Sequence, residues 1–355
     1  MKKVVVHYTI GFHYPIEGGV ETDIRDFVRM TPEYEHVVLC KNGGSVMGGI
    51  TTAQSVEFKT ACNSSQVPEV YREKYQTVGK SYEFDGTTLD RIKSLNPWAI
   101  VMYEPSEGTR DMCIPLLELD IPVKIFRSQG FPCRILDLMN LVPTAQLVSI
   151  NDEGWDDMGS KCQIRRIMLP KVYDNNIFKN NNVARVPNSF VYTGRIHEVK
   201  GIIPLIRAYK DIFNRGITIS LDIVGSCNPS PYLKEVKSAL SGTRINFYNR
   251  FVSHEQLSSI LNSSEFIVIP SPAESFCASA LEGLACGCGL LINNDTMPWS
   301  DGLCLNGMDL SEDRLRGLIL VMENALMFGR SDFSKVIYEK YSYDANRNKW
   351  AELLK

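Results

Sequence analysis

The sequence predicts an α/β protein with two domains, each built on a doubly wound parallel β-sheet. At 355 residues the chain is too long for one typical core, and 44% hydrophobic with 22% charged residues is ordinary for a globular enzyme. Short apolar runs alternate with segments whose apolar residues recur at helical spacing, which is the pattern of strand–helix–strand units. Such units cover both faces of a sheet with helices, so we expect buried strands.

The first half opens with a strand at residues 3–8, followed by a loop that ends in Gly18-Gly19 and then by a helix. Because glycine lets backbone N–H groups approach an anion, strand, glycine pair and helix together indicate a phosphate-binding turn. An ordinary tight turn has the same form.

Further strands of this half are predicted at residues 35–40, 99–103, 123–126 and 146–150, with helices at 82–95 and 111–119. The carboxyl ends of parallel strands form one edge of the sheet, where open α/β folds bind ligands. We expect Glu104 and Gln129 to lie at this edge, because each follows a predicted strand closely.

The second half repeats the pattern, with strands predicted at residues 189–192, 221–226, 245–247, 266–269 and 290–292. Arg195 and Lys200 lie in the loop after the first of these strands, and Gly225 lies at the end of the second. Two cations that converge on one point are costly unless an anion neutralises them, and a diphosphate can bind both. Two separately solvated charges are the plain alternative.

The stretch from 266 to 291 predicts a strand, an acidic loop, a helix and a further strand. Glu274 lies in the loop and Glu282 in the second turn of the helix, so both could face one elongated ligand. A phosphate could bind between them at the helix N-terminus, near Cys277 and Ser279. An exposed loop acid and an unrelated helix acid would show the same spacing.

The acidic stretch at 274–287, E-S-F-C-A-S-A-L-E-G-L-A-C-G, closely resembles the motif E-G-F-G-x-x-x-L-E-A-x-A-x-G of GT-B glycosyltransferases of family four. Residues 18–21 are similar to that family's G-G-x-E turn, and residues 194–201 to its G-R-x(4)-K-G diphosphate site. The sequence departs from the family pattern at Ser275 and Cys277, where glycines are usual, and at Gln129, where histidine is frequent.

The resemblance implies the GT-B fold, in which two Rossmann-like domains face a central cleft and a C-terminal helix crosses back to the first domain. Residues 1–170 with 340–355 would form the N-terminal acceptor-side domain, 171–187 the linker, and 188–339 the nucleotide-sugar domain. The implied activity is metal-independent hexosyl transfer from a nucleotide diphosphate-sugar, with a UDP-sugar expected first, to an acceptor hydroxyl. The acceptor class stays open: a glycan, a lipid-linked or small molecule, or a hydroxymethylated DNA base.

The resemblance also assigns roles to particular residues. Glu274, Arg195 and Lys200 are expected to carry the chemistry, with the two cations on the leaving diphosphate and Glu274 on the sugar hydroxyls. The expected donor-binding residues are Gly18, Gly19, Gly225, Phe276, Cys277, Ser279 and Glu282. Glu104 and Gln129 are expected on the acceptor side. Gln129 cannot act as a base, which leaves Glu104 and Glu107 as the only nearby candidates on that side. The donor side instead groups Glu274, the helix start and the two cations, so we expect front-face attack and retention of the anomeric configuration.

Composition limits the kinds of partner molecule that we expect for this protein. A net charge of −3 argues against general nucleic-acid binding, so nucleic acid is expected only as an acceptor. Ten cysteines at irregular spacings indicate reduced thiols of a cytoplasmic protein, and the five scattered histidines form no visible metal set. We expect no resident cofactor, because the nucleotide diphosphate-sugar is a substrate. No apolar run has the length of a membrane span, which leaves peripheral membrane contact open.

Two other classes of function fit the same sequence. An inactive sugar-nucleotide-binding paralogue is suggested by the two replaced glycines and by Gln129. A GT-B-like sugar-nucleotide epimerase would share the two-domain architecture and transfer nothing.

Overall fold

The computed structural model describes residues 2–11, 19–42, 56–60, 86–103, 119–128, 145–150, 165–226, 230–272, 274, 276–292, 302–303 and 313–355. The chain divides into two compact units. The first comprises Met1–Lys171 with Arg347–Lys355, and the second comprises Val172–Asn346. The domain limits drawn from the sequence stay a prediction.

The first unit contains a seven-stranded parallel sheet in the order β3-β2-β1-β4-β5-β6-β7. Its strands are β1 (Val4–Gly11), β2 (Glu35–Asn42), β3 (Val56–Thr60), β4 (Ala99–Tyr103), β5 (Val123–Ser128), β6 (Ala145–Ser149) and β7 (Arg165–Met168). Its described helices include α1 (Gly19–Met30) and α2 (Gly86–Leu95). Strand β7 was not expected, because its side chains are mostly exposed and carry no apolar run.

The second unit contains a five-stranded parallel sheet in the order β10-β9-β8-β11-β12. Its strands are β8 (Ser189–Thr193), β9 (Ser220–Gly225), β10 (Asn246–Asn249), β11 (Phe266–Ile269) and β12 (Gly289–Ile292). Its described helices are α3 (Ile202–Asn214), α4 (Pro231–Leu240), α5 (His254–Ser263), α6 (Ala278–Ala285), α7 (Arg314–Phe328) and α8 (Ser334–Tyr341). The last helix, α9 (Tyr343–Glu352), begins in the second unit and ends in the first.

The end of the chain packs in the first unit. Trp350 is fully buried, and its ring lies edge-on to Phe27 at 4.9 Å between centroids. The carbonyl oxygen of Leu354 accepts a hydrogen bond of 2.6 Å from the Trp98 indole N–H. The C-terminal helix therefore returns to the first unit, as the sequence predicted.

In both sheets the order in which the chain adds strands reverses at an internal strand. The chain builds outward from β1 through β2 to β3 and then continues on the other side with β4, and it does the same from β8 to β11. In sheets of this kind, the loops after the two central strands leave toward opposite faces, and ligands bind in the crevice at the carboxyl ends of these strands. In the second unit these are the loops that follow β8 and β11.

Candidate functional site

The loop after β8, Gly194–Gly201, is called the cation loop here because it carries Arg195 and Lys200. Its backbone is tied to the end of β9: Gly194 N–H donates to Val224 O and Ile196 N–H to Ser226 O, both at 3.0 Å. A short 3₁₀ turn, Glu198–Lys200, then leads into α3. The loop is thus ordered, with Arg195 exposed and Lys200 half-buried.

The loop after β11, residues 270–277, is called the acid loop, and the two loops touch at a glycine. Gly201 has φ +71°, and a Cβ there would lie 2.4 Å from Pro270 O. Gly225 serves a similar purpose, because a Cβ at that position would lie 1.8 Å from Gly194 O. These two glycines let the strand ends and loops approach more closely than any side chain would allow.

Lys200 and Glu274 join the two loops. Lys200 Nζ lies 2.6 Å from Glu274 Oε1, and the two side chains are only 19% and 11% exposed. The anion beside Lys200 is therefore the chain's own carboxylate. The sequence argument that a ligand must neutralise both cations consequently does not hold for Lys200. Among the described residues, Arg195 has no ion-pair partner.

Cys277 has a backbone conformation that favours glycine. It is the N-cap of α6 with φ +58° and ψ 82°, in the left-handed region that glycine adopts without strain. Burial raises the pKa of its thiol to about 12, and the neighbouring Glu274 carboxylate adds to the rise. The thiol is therefore neutral at physiological pH and is not a nucleophile.

The start of α6 lies against the cation loop. The Ser279 hydroxyl oxygen is 3.8 Å from where a Cβ on Gly194 would be, and Cys277 provides no side-chain cap for the first turn of the helix. The first-turn N–H groups of a helix have no intrahelical partner and favour anions. Glu282 lies in the second turn and is half-buried. The arrangement gathers one exposed cation, an ion pair and a helix N-terminus at one crevice.

Phe276 takes a different position from the other expected donor-binding residues. Its side chain is 1% exposed, and its ring lies edge-on to Tyr341 at 6.0 Å between centroids. A contact between Phe276 and a donor would therefore have to come from its backbone.

The first unit holds the remaining expected site residues. Gly19 begins α1, and its carbonyl oxygen accepts a hydrogen bond of 2.8 Å from Lys171 Nζ. Gly18, Glu104 and Gln129 lie outside the described residues, as does Ser275, and their roles stay predictions.

Tyr192 is a residue of this site that the sequence did not indicate. It is buried at the end of β8, and its hydroxyl donates a hydrogen bond of 2.8 Å to the carbonyl oxygen of Arg195. Nothing in the sequence could have marked it, because an aromatic residue in an apolar strand is the ordinary sign of a core position.

The described residues contain neither a cluster suited to a metal ion nor a helix suited to span a membrane. These residues contain no group of three or more His, Cys, Asp or Glu side chains placed to hold a metal ion. None of the described helices is both long enough and apolar enough to cross a membrane.

Residues 174–299 match the family model for glycosyl transferases group 1. This match confirms a resemblance to glycosyltransferases over these residues. An uncharacterized glycosyltransferase of Methanocaldococcus jannaschii is 28% identical over 170 residues, which cover 43% of this chain and 41% of that protein. The match thus spans only about two fifths of the length of this curated relative. None of these matches distinguishes family four from other glycosyltransferase families.

Solved structures share the fold at low sequence identity. Sucrose-phosphate synthase from Thermosynechococcus elongatus matches with a TM-score of 0.70 at 12% identity, covering 99% of this chain and 98% of that one. A glycosyltransferase from Rickettsia africae gives 0.72 at 12% identity, covering 100% and 99%. Anabaena HepE, solved with UDP and glucose, gives 0.74 at 12% identity, covering 99% of each chain. The chain has the GT-B fold, as the sequence predicted.

Proposed function

We propose that this protein is a retaining glycosyltransferase that moves a sugar from a nucleotide diphosphate-sugar to an acceptor hydroxyl. One observation carries the proposal: at the switch point of the second sheet, two touching loops bring Arg195, the Lys200–Glu274 pair and the start of α6 to one crevice. The match to glycosyl transferases group 1 over this region supports the same reaction class.

The leaving group of such a transfer is a nucleoside diphosphate, whose negative charge grows as the bond to the sugar breaks. Fixed positive groups aimed at that charge stabilise the transition state without reorganisation. Arg195 can supply a guanidinium that is not already paired with a described residue, and the α6 N-terminus can supply N–H donors. We therefore propose that the reaction needs no divalent metal.

Lys200 and Glu274 are proposed to act together at the sugar. The donor diphosphate would compete with Glu274 for the Lys200 ammonium, because the diphosphate as a whole carries more negative charge than one carboxylate. The released carboxylate could then accept hydrogen bonds from sugar hydroxyls and stabilise positive charge on the ring. Donor binding would thus prepare Glu274 for its role.

The proposed chemical step is a front-face substitution. The bond between the anomeric carbon and the phosphate oxygen breaks, and a bond to the acceptor oxygen forms on the same face. The acceptor proton passes to the departing phosphate oxygen, so no separate base is required. Cys277 offers no alternative nucleophile because its thiol stays protonated.

We propose a UDP-sugar as the donor, since Anabaena HepE, of the same fold, was solved with UDP and glucose. The proposal leaves the acceptor as a glycan, a lipid-linked or small molecule, or a hydroxymethylated DNA base. A second candidate, a sugar-nucleotide-binding protein without activity, is favoured by one observation: Cys277 adopts a left-handed conformation where the family has glycine.

Product analysis tests the proposed function. The purified protein is incubated with α-linked UDP-, GDP- and ADP-sugars and a panel of hydroxyl acceptors in EDTA. NMR of the anomeric proton then identifies the product. We expect nucleoside diphosphate release and an α-linked product. A β-linked product would contradict the mechanism, and donor binding without release or transfer would favour the inactive binding protein. An interconverted donor with no transfer would indicate an epimerase.

A further inference from the structure

A buried tyrosine is hydrogen-bonded to the backbone of the residue that carries the exposed cation. Tyr192 is 2% exposed, yet its hydroxyl reaches 2.8 Å to the carbonyl oxygen of Arg195. The ring belongs to the core of the second unit, whereas Arg195 belongs to the crevice. The Tyr192 side chain therefore connects the core to the cation loop, to which the buried Ile196 of the same core also belongs.

Gly194 makes this connection possible. Its φ is +144°, and a Cβ there would lie 3.0 Å from the Tyr192 hydroxyl oxygen and 3.4 Å from Tyr192 Cζ. Only glycine lets the chain fold back over the tyrosine ring so closely. Tyr192, Gly194 and Arg195 thus act as one structural unit.

The backbone around Arg195 is held from two sides. Gly194 and Ile196 donate their N–H groups to Val224 and Ser226, at the end of β9. The Arg195 carbonyl oxygen instead accepts from Tyr192. The side chain of Arg195 remains exposed and has no ion-pair partner among the described residues. The loop is ordered before any ligand arrives, so less entropy is lost on binding.

The environment keeps the tyrosine in its hydrogen-bond-donating form. Burial raises the pKa of the Tyr192 hydroxyl well above its ordinary value, and nearby Cys277 and Glu274 raise it further while Arg195 opposes them. The hydroxyl therefore stays protonated across the physiological range and can donate to Arg195 throughout.

We propose that Tyr192 is a positioning residue that fixes the Arg195 backbone and so directs its guanidinium to the bound diphosphate. The identity of the anion rests on the proposed function, whereas the link between Tyr192 and the cation loop does not. Tyr192 is not expected to touch the donor.

The test compares two phenylalanine variants. Tyr192→Phe removes the hydroxyl and keeps the ring. Tyr209→Phe is the matched control, because Tyr209 is 1% exposed in the same core and its hydroxyl makes no hydrogen bond to a described residue. In UDP titrations we expect Tyr192→Phe to raise Kd by about 3- to 10-fold, the usual worth of one hydrogen bond. Tyr209→Phe should stay within about 2-fold of the parent.

A double variant decides whether Tyr192 acts through Arg195. In an Arg195→Ala background we expect Tyr192→Phe to cause no further loss of UDP affinity, because no guanidinium remains to be positioned. The same loss in both backgrounds would overturn the proposal, since it would mean that Tyr192 acts independently of Arg195.

A second measurement needs no nucleotide. Amide hydrogen exchange in residues 194–201 of the unliganded protein should be faster in Tyr192→Phe than in the parent, and unchanged in Tyr209→Phe. Unchanged exchange in Tyr192→Phe would overturn the positioning role. If the parent binds no nucleoside diphosphate, the proposed function fails, and the exchange result still decides whether Tyr192 orders the loop.

Discussion

Lys200 Nζ and Glu274 Oε1, which lie in the loops after β8 and β11, form an ion pair of 2.6 Å with little solvent exposure. The pair joins residues 74 positions apart in the chain. The carboxylate of Glu274, the candidate sugar-binding group, is therefore paired with a cation that a diphosphate can also bind.

Glu274→Gln should lower turnover more than it lowers donor affinity. The amide is nearly isosteric but carries no charge, so it cannot stabilise positive charge on the sugar. We expect turnover to fall by about 100-fold or more, the range that removal of one electrostatic partner produces. Initial rates with donor and acceptor give the turnover, and UDP titration gives the affinity. Full activity in this variant would mean that Glu274 is a loop carboxylate without a role in catalysis.

Gly201→Ala should destabilise the fold more than Gly216→Ala. Both glycines have positive φ, +71° and +85°, but a Cβ at Gly216 meets nothing within 4 Å, whereas one at Gly201 would lie 2.4 Å from Pro270 O. We expect Gly216→Ala to cost about 1–2 kcal/mol from backbone strain alone. Gly201→Ala should cost about 1–3 kcal/mol more, from the clash between the loops.

Urea unfolding of both glycine variants measures the difference. UDP titration should also show weaker binding in Gly201→Ala only, because the clash displaces the cation loop. Equal losses of unfolding free energy would show that the two loops do not make the close contact at Pro270.

Cys277→Gly should be tolerated, unlike the same change at the buried Cys288. Glycine relieves the left-handed strain at φ +58° but adds backbone entropy to the unfolded chain, so we expect a net change within about 1 kcal/mol. Cys288 is fully buried, and its thiol donates to Leu261 O at 3.1 Å. Cys288→Gly should therefore cost about 2 kcal/mol or more. Equal destabilisation in urea unfolding would contradict the strain assigned to Cys277.

The sequence predicted best those elements that depend only on residues close together in the chain. Strand 99–103 has the predicted bounds, and the loop that carries Arg195 and Lys200 follows a strand as expected. Helix α7 was not anticipated, because exposed Leu320, Met327 and Phe328 blur the apolar stripe that marks a helix.

Contacts between distant residues could not be read from the sequence. The Lys200–Glu274 pair depends on β8 lying next to β11, which is a property of strand order and not of spacing along the chain. The φ of Cys277 was equally hidden. The sequence showed that a glycine of the motif was replaced, but only the structure shows that this position is left-handed.

Acid should destabilise the first unit through two buried histidines. His7 Nε2 lies 2.9 Å from His36 Nδ1, and His36 Nε2 lies 2.9 Å from the carbonyl oxygen of Thr31. Burial lowers the pKa of both imidazoles, and the nearby His36 lowers the pKa of His7 further. For His36, the hydrogen bond to the Thr31 carbonyl and the charge of Glu33 raise the pKa, whereas the charge of Lys2 lowers it, and the net shift is downward. The folded state therefore holds them neutral, whereas the unfolded chain binds protons below about pH 6.5.

The contribution of these two histidines to stability should accordingly be constant above that pH and fall as pH drops below it, by up to about 1.4 kcal/mol per pH unit for each histidine. Tryptophan fluorescence during urea unfolding at about pH 7.5, 6.5 and 5.5 measures the slope. His7→Gln should flatten it, and the exposed His197→Gln should not. A slope that is the same in all three proteins would exclude the histidine pair as its cause.

The most direct test of the account is calorimetric titration of UDP, GDP, ADP and CMP, in EDTA, into the parent and three charge variants. The account predicts that a nucleoside diphosphate binds the parent without metal. Arg195→Ala and Lys200→Ala should each weaken that binding by about 10- to 100-fold, the worth of one charge-assisted contact. Arg215→Ala, which removes an exposed cation of the same unit paired with Glu323, should bind like the parent. Failure of every nucleoside diphosphate to bind, or equal affinity in all four proteins, would contradict the assignment of this crevice as the donor site.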